Sequence, residues 1–324
     1  MVRKIAIITS GGDSQGMNAA IRSVVRNAVY NNIECLGFYR GYQGLIENSF
    51  VELGLRDVSK ILGNGGTFLK SARSSDFFEK SFREKAYENL KSLRVDALVV
   101  IGGNGSITGG HVFSSEFGFP VVGVTASIDN DIYGTEHSIG FDTALNNIVE
   151  SIDKIRDTAR SHNRLFFIEV MGRDCGNLAL HAGIASGACF AIIPEQRFEL
   201  VDLIKRLEEG SKLNKTSSIV VVSEGNTYGP AYKIAEDLTR VYDGYETKVT
   251  ILGHIQRGGS PTAVDRILAS RLGMAAIEAL KLNMFGKMVG IVKDKVVYTE
   301  LKDVVDKTNG IDDELRRLNE IISR

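Results

Sequence analysis

Short runs of apolar residues alternate along the chain with longer amphipathic stretches. An apolar run bounded by glycine or polar residues is typical of a buried strand, and apolar positions spaced three or four apart are typical of a helix. The predicted strands are residues 4–9, 34–38, 97–101, 121–124, 165–170, 190–193, 219–223 and 249–252. The clearest predicted helices are residues 17–30, 81–93, 143–161, 200–213 and 262–282. This alternation predicts an α/β fold with a mostly parallel sheet that carries helices on both faces.

Two of the predicted strands run directly into glycine-rich loops. The first loop is Gly-Gly-Asp-Ser-Gln-Gly at 11–16, and the second is Gly-Gly-Asn-Gly-Ser at 102–106. Such a loop lets backbone N–H groups approach a phosphate, and the following helix N-terminus adds partial positive charge. Both loops are therefore candidate phosphate sites. The alternative is a tight turn in which glycine only supplies a positive φ.

Neither loop matches a common nucleotide motif. The spacing from Gly11 to Gly16 is that of a Walker A loop, but Met17 and Asn18 stand where Lys and Ser or Thr are required. This disfavours a P-loop NTPase. The second loop matches the dinucleotide-binding fingerprint only loosely, because no acidic residue stands in a clear place about 20 residues further on. A dehydrogenase is therefore only a weak alternative function.

Charged side chains follow several of the other predicted strands. Asp129 and Asp131 come soon after the strand 121–124 and suit a general base for a hydroxyl group and a magnesium contact; the alternative is an Asp-rich turn with helix capping. Basic side chains in or near glycine-flanked turns are Arg164, Arg173, Lys248, His254 and Arg257. They suit an anionic ligand, or are surface charges. Together these residues favour phosphoryl transfer between phosphorylated small molecules.

Composition narrows the classes of protein. The 324 residues include 39 Lys and Arg against 40 Asp and Glu, a net charge of −1 that argues against a nucleic-acid binder or a polybasic membrane-surface protein. The length suggests about two domains. The 34 glycines accompany only 4 prolines, so the glycine content indicates special backbone geometry rather than a low-complexity segment.

The cysteines and the hydropathy of the chain favour a location in the cytoplasm. Cys35, Cys175 and Cys189 are odd in number and widely spaced, which fits buried residues in a reduced cytosol better than disulfides or a metal site. The apolar run at 5–8 is too short for a signal-peptide core, and no stretch approaches the roughly 18 apolar residues of a membrane span. We expect a cytoplasmic protein.

Five stretches resemble the ATP-dependent 6-phosphofructokinase family, and the match runs nearly from end to end. They are residues 11–13 with 16–22, 65–69 with 71–73, 128–131, 171–173 and 253–260. The resemblance implies two similar three-layer α/β/α lobes with mostly parallel sheets and the active site in the cleft between them. It also implies a cytoplasmic homotetramer that transfers a phosphoryl group from MgATP to the C1 hydroxyl of fructose 6-phosphate in glycolysis.

The lobes can be bounded approximately, since the long predicted helix 143–161 separates two glycine-rich halves. We expect residues 1–142 to form the nucleotide-binding lobe, rejoined by about 255–305. Residues 143–254 form the predicted sugar-phosphate-binding lobe, and 306–324 a C-terminal helix.

The resemblance also implies roles for individual residues. Asp129 is the implied general base and Arg173 the residue that neutralises charge at the transferring group. The implied nucleotide-binding residues are Gly12, Arg73, Ser74, Gly103, Asn104, Gly105 and Ser106, and the implied metal ligands for Mg²⁺ are Asn104 and Asp131. The implied sugar-phosphate ligands are Ser127, Asp129, Met171, Gly172, Arg173, Glu224, His254 and Arg257, with Arg164 and Lys248 from a neighbouring subunit. The implied effector-binding residues are Arg22, Arg26, Arg156 and Lys215.

Several positions depart from the family pattern. Asn104 replaces the aspartate that helps to hold magnesium, and Lys248 replaces an arginine of the sugar-phosphate site. In the effector site, Leu55 and Leu213 replace basic residues, Lys60 an acidic residue, and Cys189 a carboxylate. These departures predict a kinase with reduced activity and a blunted ADP response. The alternatives are a catalytically weak regulatory subunit in a hetero-oligomer and a pyrophosphate-dependent enzyme, the latter disfavoured by Gly105 and Ala126.

Overall fold

The computed structural model describes residues 2–160, 164–212 and 218–323, and each strand and helix predicted above is present in it. The strands are β1 (Lys4–Ser10), β2 (Glu34–Phe38), β3 (Phe50–Glu52), β4 (Ala97–Gly102), β5 (Val121–Ser127), β6 (Ile139–Gly140), β7 (Arg164–Val170), β8 (Phe190–Ile192), β9 (Ser218–Ser223), β10 (Glu246–Ile251), β11 (Lys287–Val292) and β12 (Lys295–Glu300). The predicted ends at Ser161 and Leu213 lie outside the described residues.

The helices include several that the sequence did not predict. They are α1 (Met17–Tyr30), α2 (Tyr42–Glu47), α3 (Lys80–Ser92), α4 (Asn104–Phe117), α5 (Phe141–Arg160), α6 (Asn177–Ser186), α7 (Leu200–Lys212), α8 (Ala231–Val241), α9 (Ala263–Lys281), α10 (Leu301–Asp306) and α11 (Asp313–Ile322). Short 3₁₀ helices cover Asp76–Phe78 and Gly253–Arg257. No helix in the described residues combines the length and the apolar character needed to cross a membrane.

The chain divides into two compact units, and each contains one of the sheets formed by the described residues. The first unit comprises Met1–Thr143 and Arg257–Asn309, and the second Ala144–Gln256 and Gly310–Arg324. Which ligand each unit binds stays a prediction.

The first sheet has the strand order β12-β11-β5-β4-β1-β2-β3, with β6 beside β5. Strands β1, β2, β4, β5 and β11 run parallel, and β3 and β12 pair antiparallel at the two edges. Successive side chains of a strand point to opposite faces. Ile5 and Ile7 therefore pack against α1 and α9, whereas Ala6 and Ile8 pack in the cluster formed by α2, α3, α4 and α10. Both faces are covered, which explains why β1 is almost continuously apolar.

The second sheet is parallel, in the order β10-β7-β9-β8. Leu165 and Phe167 of β7 pack with residues of α7 and α8 on one face, and α6 lies against β8 and β9. The edge strand β10 is only partly buried, unlike β7 and β9. The predicted α/β class with mostly parallel sheets is confirmed.

Candidate functional site

The loops that follow β1, β4 and β5 meet at one edge of the first sheet. These strands are parallel neighbours, and Gly102 at the end of β4 lies opposite both Ser10 and Thr125. A Cβ atom on Gly11 would lie 3.2 Å from Ser106 Oγ, and one on Gly103 would lie 3.6 Å from Ser127 Cβ. The structure therefore brings the predicted glycine loops and the start of the predicted acidic turn together.

The glycines of the first loop have two different reasons to be glycine. Gly11 and Gly16 have φ values of +82° and +98°, which side chains rarely tolerate. Gly12 has no such requirement, but a Cβ there would lie 2.9 Å from Nη1 of Arg257, which donates a hydrogen bond of 2.7 Å to the Asp13 carbonyl. The turn interpretation thus accounts for Gly11 and Gly16, whereas Gly12 allows an arginine to approach the backbone closely.

The second loop opens helix α4. Gly103 is the N-cap, and the first turn, residues 104–107, is uncharged, so no side-chain charge there cancels the partial positive charge of the helix end. Because α4 follows β4 directly, that helix end lies at the edge of the sheet. Gly105 is exposed, and a Cβ on it would meet no atom within 4 Å. From behind, the buried Tyr42 hydroxyl donates a hydrogen bond of 2.5 Å to the Ser106 carbonyl. The loop is held in place while its outer side is open.

Asn130 helps to shape the acidic turn after β5. Asn130 has a φ of +53°, and its Oδ1 accepts hydrogen bonds from the backbone and hydroxyl of Ser138, at 2.8 and 3.1 Å. The Asp129 amide donates to Ser127 Oγ at 3.2 Å. The Asp131 carboxylate accepts a hydrogen bond of 2.7 Å from Nδ2 of Asn104. The polar contacts of the turn thus hold both half-buried aspartates beside the α4 loop.

The donor set at this edge fits magnesium that arrives with a nucleotide. The described residues contain no cluster of three or more His, Cys, Asp or Glu side chains able to hold a metal by themselves. Mg²⁺ is commonly held by one or two carboxylates together with substrate phosphates and water. Asp131 supplies such a carboxylate, and Asn104 uses its amide nitrogen toward Asp131, so the amide oxygen is its potential ligand atom.

Arg73 and Ser74 lie in the segment before the short helix Asp76–Phe78. Arg73 is exposed. The Ser74 hydroxyl donates to Gln43 Oε1 at 2.7 Å and accepts from the Phe77 amide at 3.3 Å. Ser74 therefore has a local capping role, and its role toward a nucleotide stays a prediction.

In the second unit, the loop after β7 carries Met171, Gly172 and Arg173. The Met171 amide donates to Gln256 Oε1 at 3.0 Å, and Gly172, with a φ of +123°, accepts from the Ser223 hydroxyl at 2.7 Å. A Cβ on Gly225 would lie only 1.3 Å from the Arg173 carbonyl oxygen. The loop is therefore fixed by its backbone, and the Arg173 side chain is exposed.

Gln256 is a residue that sequence reasoning missed. It is completely buried and also donates to the Gly253 carbonyl at 2.9 Å, so it joins the loop after β7 to the short helix that carries the exposed His254. Glu224 is exposed next to the same loop, and its amide donates to the Val170 carbonyl at 2.9 Å. The structure thus assembles these predicted ligands within the second unit.

Arg164 and Lys248 lie elsewhere in that unit. Arg164 opens the seven-residue strand β7, and Met171 follows its other end, roughly 20 Å along the strand. Both cations contact Glu246, which sequence reasoning also missed: Arg164 Nε lies 2.8 Å from Oε2 and Lys248 Nζ 2.5 Å from Oε1. The two cations lower the pKa of Glu246 to about 2, Arg164 having the larger effect. The period of two along β10 could have indicated that Glu246 neighbours Lys248.

The predicted effector residues fall in both units. In the first unit Arg22 is half-buried, with a buried Nε that has no hydrogen-bond partner among the described residues, and Arg26 is exposed. In the second, Arg156 donates from Nη2 to the Ser186 carbonyl. Lys215 and Leu213 lie outside the described residues. Of the departures, Leu55 and Lys60 are exposed, whereas Cys189 packs into the core beside α7 and α8.

Glycine loops at helix N-termini, beside carboxylates at the carboxyl edge of a parallel sheet, are typical of α/β proteins that act on phosphorylated ligands. The family model described as Phosphofructokinase matches residues 4–280. The chain is 52% identical over 304 residues to the ATP-dependent 6-phosphofructokinase 2 of Bacteroides thetaiotaomicron, covering 94% of this chain and 93% of that protein. It is 49% identical over 322 residues to the ATP-dependent 6-phosphofructokinase 1 of Thermus thermophilus, covering 99% and 100%.

A solved phosphofructokinase structure also matches this chain. The phosphofructokinase structure from Saccharomyces cerevisiae matches with a TM-score of 0.89 and 37% identity over 94% of this chain, which spans 45% of the yeast chain. The chain belongs to the phosphofructokinase family. The resemblance that the motifs indicated is thereby confirmed.

Proposed function

We propose that the protein transfers the γ-phosphoryl group of ATP to the C1 hydroxyl of fructose 6-phosphate, giving fructose 1,6-bisphosphate and ADP. The observation that carries the proposal is the position of Asp129. It follows β5, its amide is held by Ser127 Oγ at 3.2 Å, and its turn is joined to the α4 loop by the Asn104–Asp131 hydrogen bond of 2.7 Å. Relatives about half identical over nearly the whole chain carry the name ATP-dependent 6-phosphofructokinase.

In the proposed reaction Asp129 is the general base. It accepts the proton of the C1 hydroxyl while that oxygen forms a bond to the γ-phosphorus; the bond from phosphorus to the bridging oxygen breaks, and ADP leaves with the electron pair. The backbones of Gly12, Gly103 and Gly105, with the N-terminus of α4, would bind the phosphates of the nucleotide. Ser106 and the exposed Arg73 would complete that site, and Ser74 would support it through the contacts described above.

Magnesium would be held by Asp131 and by the amide oxygen of Asn104. When bound, it neutralises charge on the phosphates of the nucleotide. Asn104 and Asp131 sit on neighbouring loops, so their mutual hydrogen bond sets the spacing of these two donor groups.

The proposed sugar-phosphate ligands include Ser127, Asp129 and Arg257 of the first unit. In the second unit they are Met171, Gly172, Arg173, Glu224 and His254. Arg173 would also neutralise charge at the transferring group, because a guanidinium is always ionised and can form forked bonds to phosphate.

Arg164 and Lys248 would bind the sugar phosphate of a neighbouring subunit. Arg164 opens β7 and Met171 follows it, roughly 20 Å apart, which is farther than one hexose phosphate can reach. Within one chain the two groups therefore cannot contact the same sugar phosphate molecule, so Arg164 and Lys248 would reach a ligand that is bound by another chain. This geometry supports sites that are shared between subunits, and the family resemblance implies that the assembly is a homotetramer. The alternative assembly is a hetero-oligomer with a second phosphofructokinase.

ATP is favoured over pyrophosphate as the phosphoryl donor by Gly105 and Ala126 and by the names of the relatives. A cytoplasmic location is supported by the three cysteines, whose odd number and burial fit a reducing compartment. The intact Asp129 and Arg173 favour an active enzyme over a regulatory subunit.

A coupled assay with fructose 6-phosphate and either MgATP or pyrophosphate tests the proposal. We expect product with MgATP only, and we expect Asp129→Asn to lower kcat about 10²- to 10⁴-fold, with a much smaller change in the KM for fructose 6-phosphate. Asp313→Asn, which removes the same charge from the exposed face of α11, is the matched control. Product with pyrophosphate alone, no product with either donor, or full activity of Asp129→Asn would contradict the proposal.

A further inference from the structure

Arg164, Glu246 and Lys248 form a charged cluster on one face of the second sheet. Arg164 of β7 is paired in register with Glu246 of the edge strand β10. Glu246 and Lys248 are two residues apart and therefore project from the same face of β10. Thr247 between them faces α8, because its hydroxyl lies 3.0 Å from that of Thr239. The three charged side chains thus share the face opposite α8.

One carboxylate holds both cations of this cluster. Arg164 Nε donates to Oε2 of Glu246 at 2.8 Å, while Lys248 Nζ lies 2.5 Å from Oε1, so each carboxylate oxygen takes one cation. The cluster keeps a net charge of +1. Without Glu246, two like charges would stand side by side on flexible stems and would repel each other.

The contacts with Glu246 leave the phosphate-binding groups of both cations available for a ligand. The hydrogen bond from Arg164 comes from Nε, so the carboxylate does not take the pair of terminal nitrogens, Nη1 and Nη2, that makes forked bonds with phosphate. Lys248 has three N–H donors and directs one of them at Glu246.

We propose that Glu246 is a positioning residue that holds Arg164 and Lys248 side by side as a clamp for a dianionic sugar phosphate. The inference rests on the proposed function, in which these cations bind the sugar phosphate. Glu246 does not touch the ligand; it fixes the two long side chains before the ligand arrives, which lowers the entropic cost of binding.

Charge and position predict opposite effects of removing Glu246, and this makes the inference testable. If only charge mattered, a neutral residue would raise the net charge of the cluster and tighten the binding of an anion. If position matters more, binding weakens even though the cluster becomes more positive. The side chain of Glu246 is half exposed, so screening reduces the effect of charge.

The experiment compares Glu246→Gln with the wild-type enzyme in its assembled state. At saturating MgATP we expect the KM for fructose 6-phosphate to rise about 5- to 20-fold, with kcat and the KM for ATP changed less than about twofold. Glu246→Asp keeps the charge on a shorter stem and should give an intermediate KM. The control is Glu236→Gln, which removes the same charge from an exposed pair with Arg240 on α8. Sedimentation velocity and thermal melting establish that assembly and folding are unchanged.

Arg164→Ala separates the inference from the proposed function. If this variant leaves the KM for fructose 6-phosphate unchanged, the assigned role of Arg164 is wrong and the role of Glu246 falls with it. If Arg164→Ala raises the KM while Glu246→Gln lowers it or leaves it unchanged, the sugar-phosphate site stands and the positioning role alone is overturned. If both single variants raise the KM and the double variant adds little to Arg164→Ala, Glu246 acts through Arg164.

Discussion

The side-chain amide of Asn104 donates a hydrogen bond of 2.7 Å to the carboxylate of Asp131. Asn104 opens α4 and Asp131 lies in the turn after β5, so the bond joins two neighbouring loops of the first unit. A neutral amide can stand this close to a carboxylate without charge repulsion, and here it donates a hydrogen bond to it. The same amide is a poorer ligand for a hard dication than the carboxylate that the family resemblance implies at this position.

Replacing Asn104 by aspartate should strengthen magnesium binding. The variant places two carboxylates where one carboxylate and an amide now meet, and a divalent cation relieves their repulsion. We expect the magnesium concentration for half-maximal activity to fall about tenfold and kcat to rise. An independent measurement is the thermal melting temperature, which should increase more with added magnesium than in the wild type. Asn283→Asp adds the same charge at an exposed site and should change none of these quantities; unchanged values in Asn104→Asp would mean that residue 104 is not at the metal.

Replacing Gly225 by alanine should displace the loop that carries Arg173. The new Cβ would lie 1.3 Å from the Arg173 carbonyl oxygen, a contact that only a backbone shift can relieve. We expect a loss of about 1–3 kcal/mol in the free energy of unfolding and a raised KM for fructose 6-phosphate. Gly310→Ala is the matched control, since a Cβ at Gly310 meets no atom within 4 Å. If Gly225→Ala melts and turns over like Gly310→Ala, the loop is more adaptable than its packing indicates.

Local signals in the sequence predicted most of the strands that are buried on both faces, although β11, which lies between β5 and β12, was not predicted. β1, β4 and β7 are mostly apolar runs followed by a polar or glycine-rich loop, and the parallel strands of each sheet leave such loops at one edge of that sheet. The edge strands β3 and β12 were missed because their place depends on antiparallel partners rather than on their own apolar content.

Residues that act through distant partners could not be found in this way. Glu246 contacts Arg164 across 82 positions, and Gln256 contacts Met171 across 85, so both contacts depend on the tertiary fold. Arg257 was predicted to bind the sugar phosphate, and its contact with the Asp13 carbonyl, 244 positions away, was not foreseen. A motif identifies such residues by type, but the tertiary fold decides which groups they touch.

Asp265 predicts a specific pH dependence of stability. It is completely buried, and burial raises its pKa, although hydrogen bonds from Thr143 and the Gly140 amide oppose the shift. Between the ordinary pKa of aspartate and the higher pKa of the folded state, the folded protein binds the proton more tightly than the unfolded chain. The contribution of Asp265 to stability is therefore greatest below its ordinary pKa and decreases as the pH rises through the folded pKa.

Urea denaturation of wild type and Asp265→Asn at several pH values above 4 measures this contribution. We expect the variant to be about 1–3 kcal/mol less stable, because an amide cannot accept every hydrogen bond that the carboxylate accepts. We also expect its free energy of unfolding to decrease less with rising pH than that of the wild type. The contribution of Asp303 to stability depends on pH in the opposite direction. Its hydrogen bond with Lys307 lowers its pKa, so the stability that it contributes is lost as the pH falls. Parallel stability curves for wild type and Asp265→Asn would contradict the assignment.

ADP should activate this enzyme weakly or not at all. The resemblance implies that an anionic effector and its magnesium require basic residues and a carboxylate, and the structure shows a leucine, Leu55, 47% exposed at one such position. Cys189, at the position of the carboxylate, is only 3% exposed and packs in the core of the second unit, so its thiol is not presented to a metal. We therefore expect the fructose 6-phosphate saturation curve to change less than about twofold with ADP at millimolar concentration. A strongly sigmoidal fructose 6-phosphate curve that ADP renders hyperbolic would contradict this prediction.

A variant at position 55 tests the role of charge in the effector response. Because Leu55 is exposed, Leu55→Arg should fold normally and gain a measurable ADP response, whereas Leu55→Gln, which is polar but uncharged, should not. Equal responses of the two variants would mean that the charge at position 55 is irrelevant to the effector.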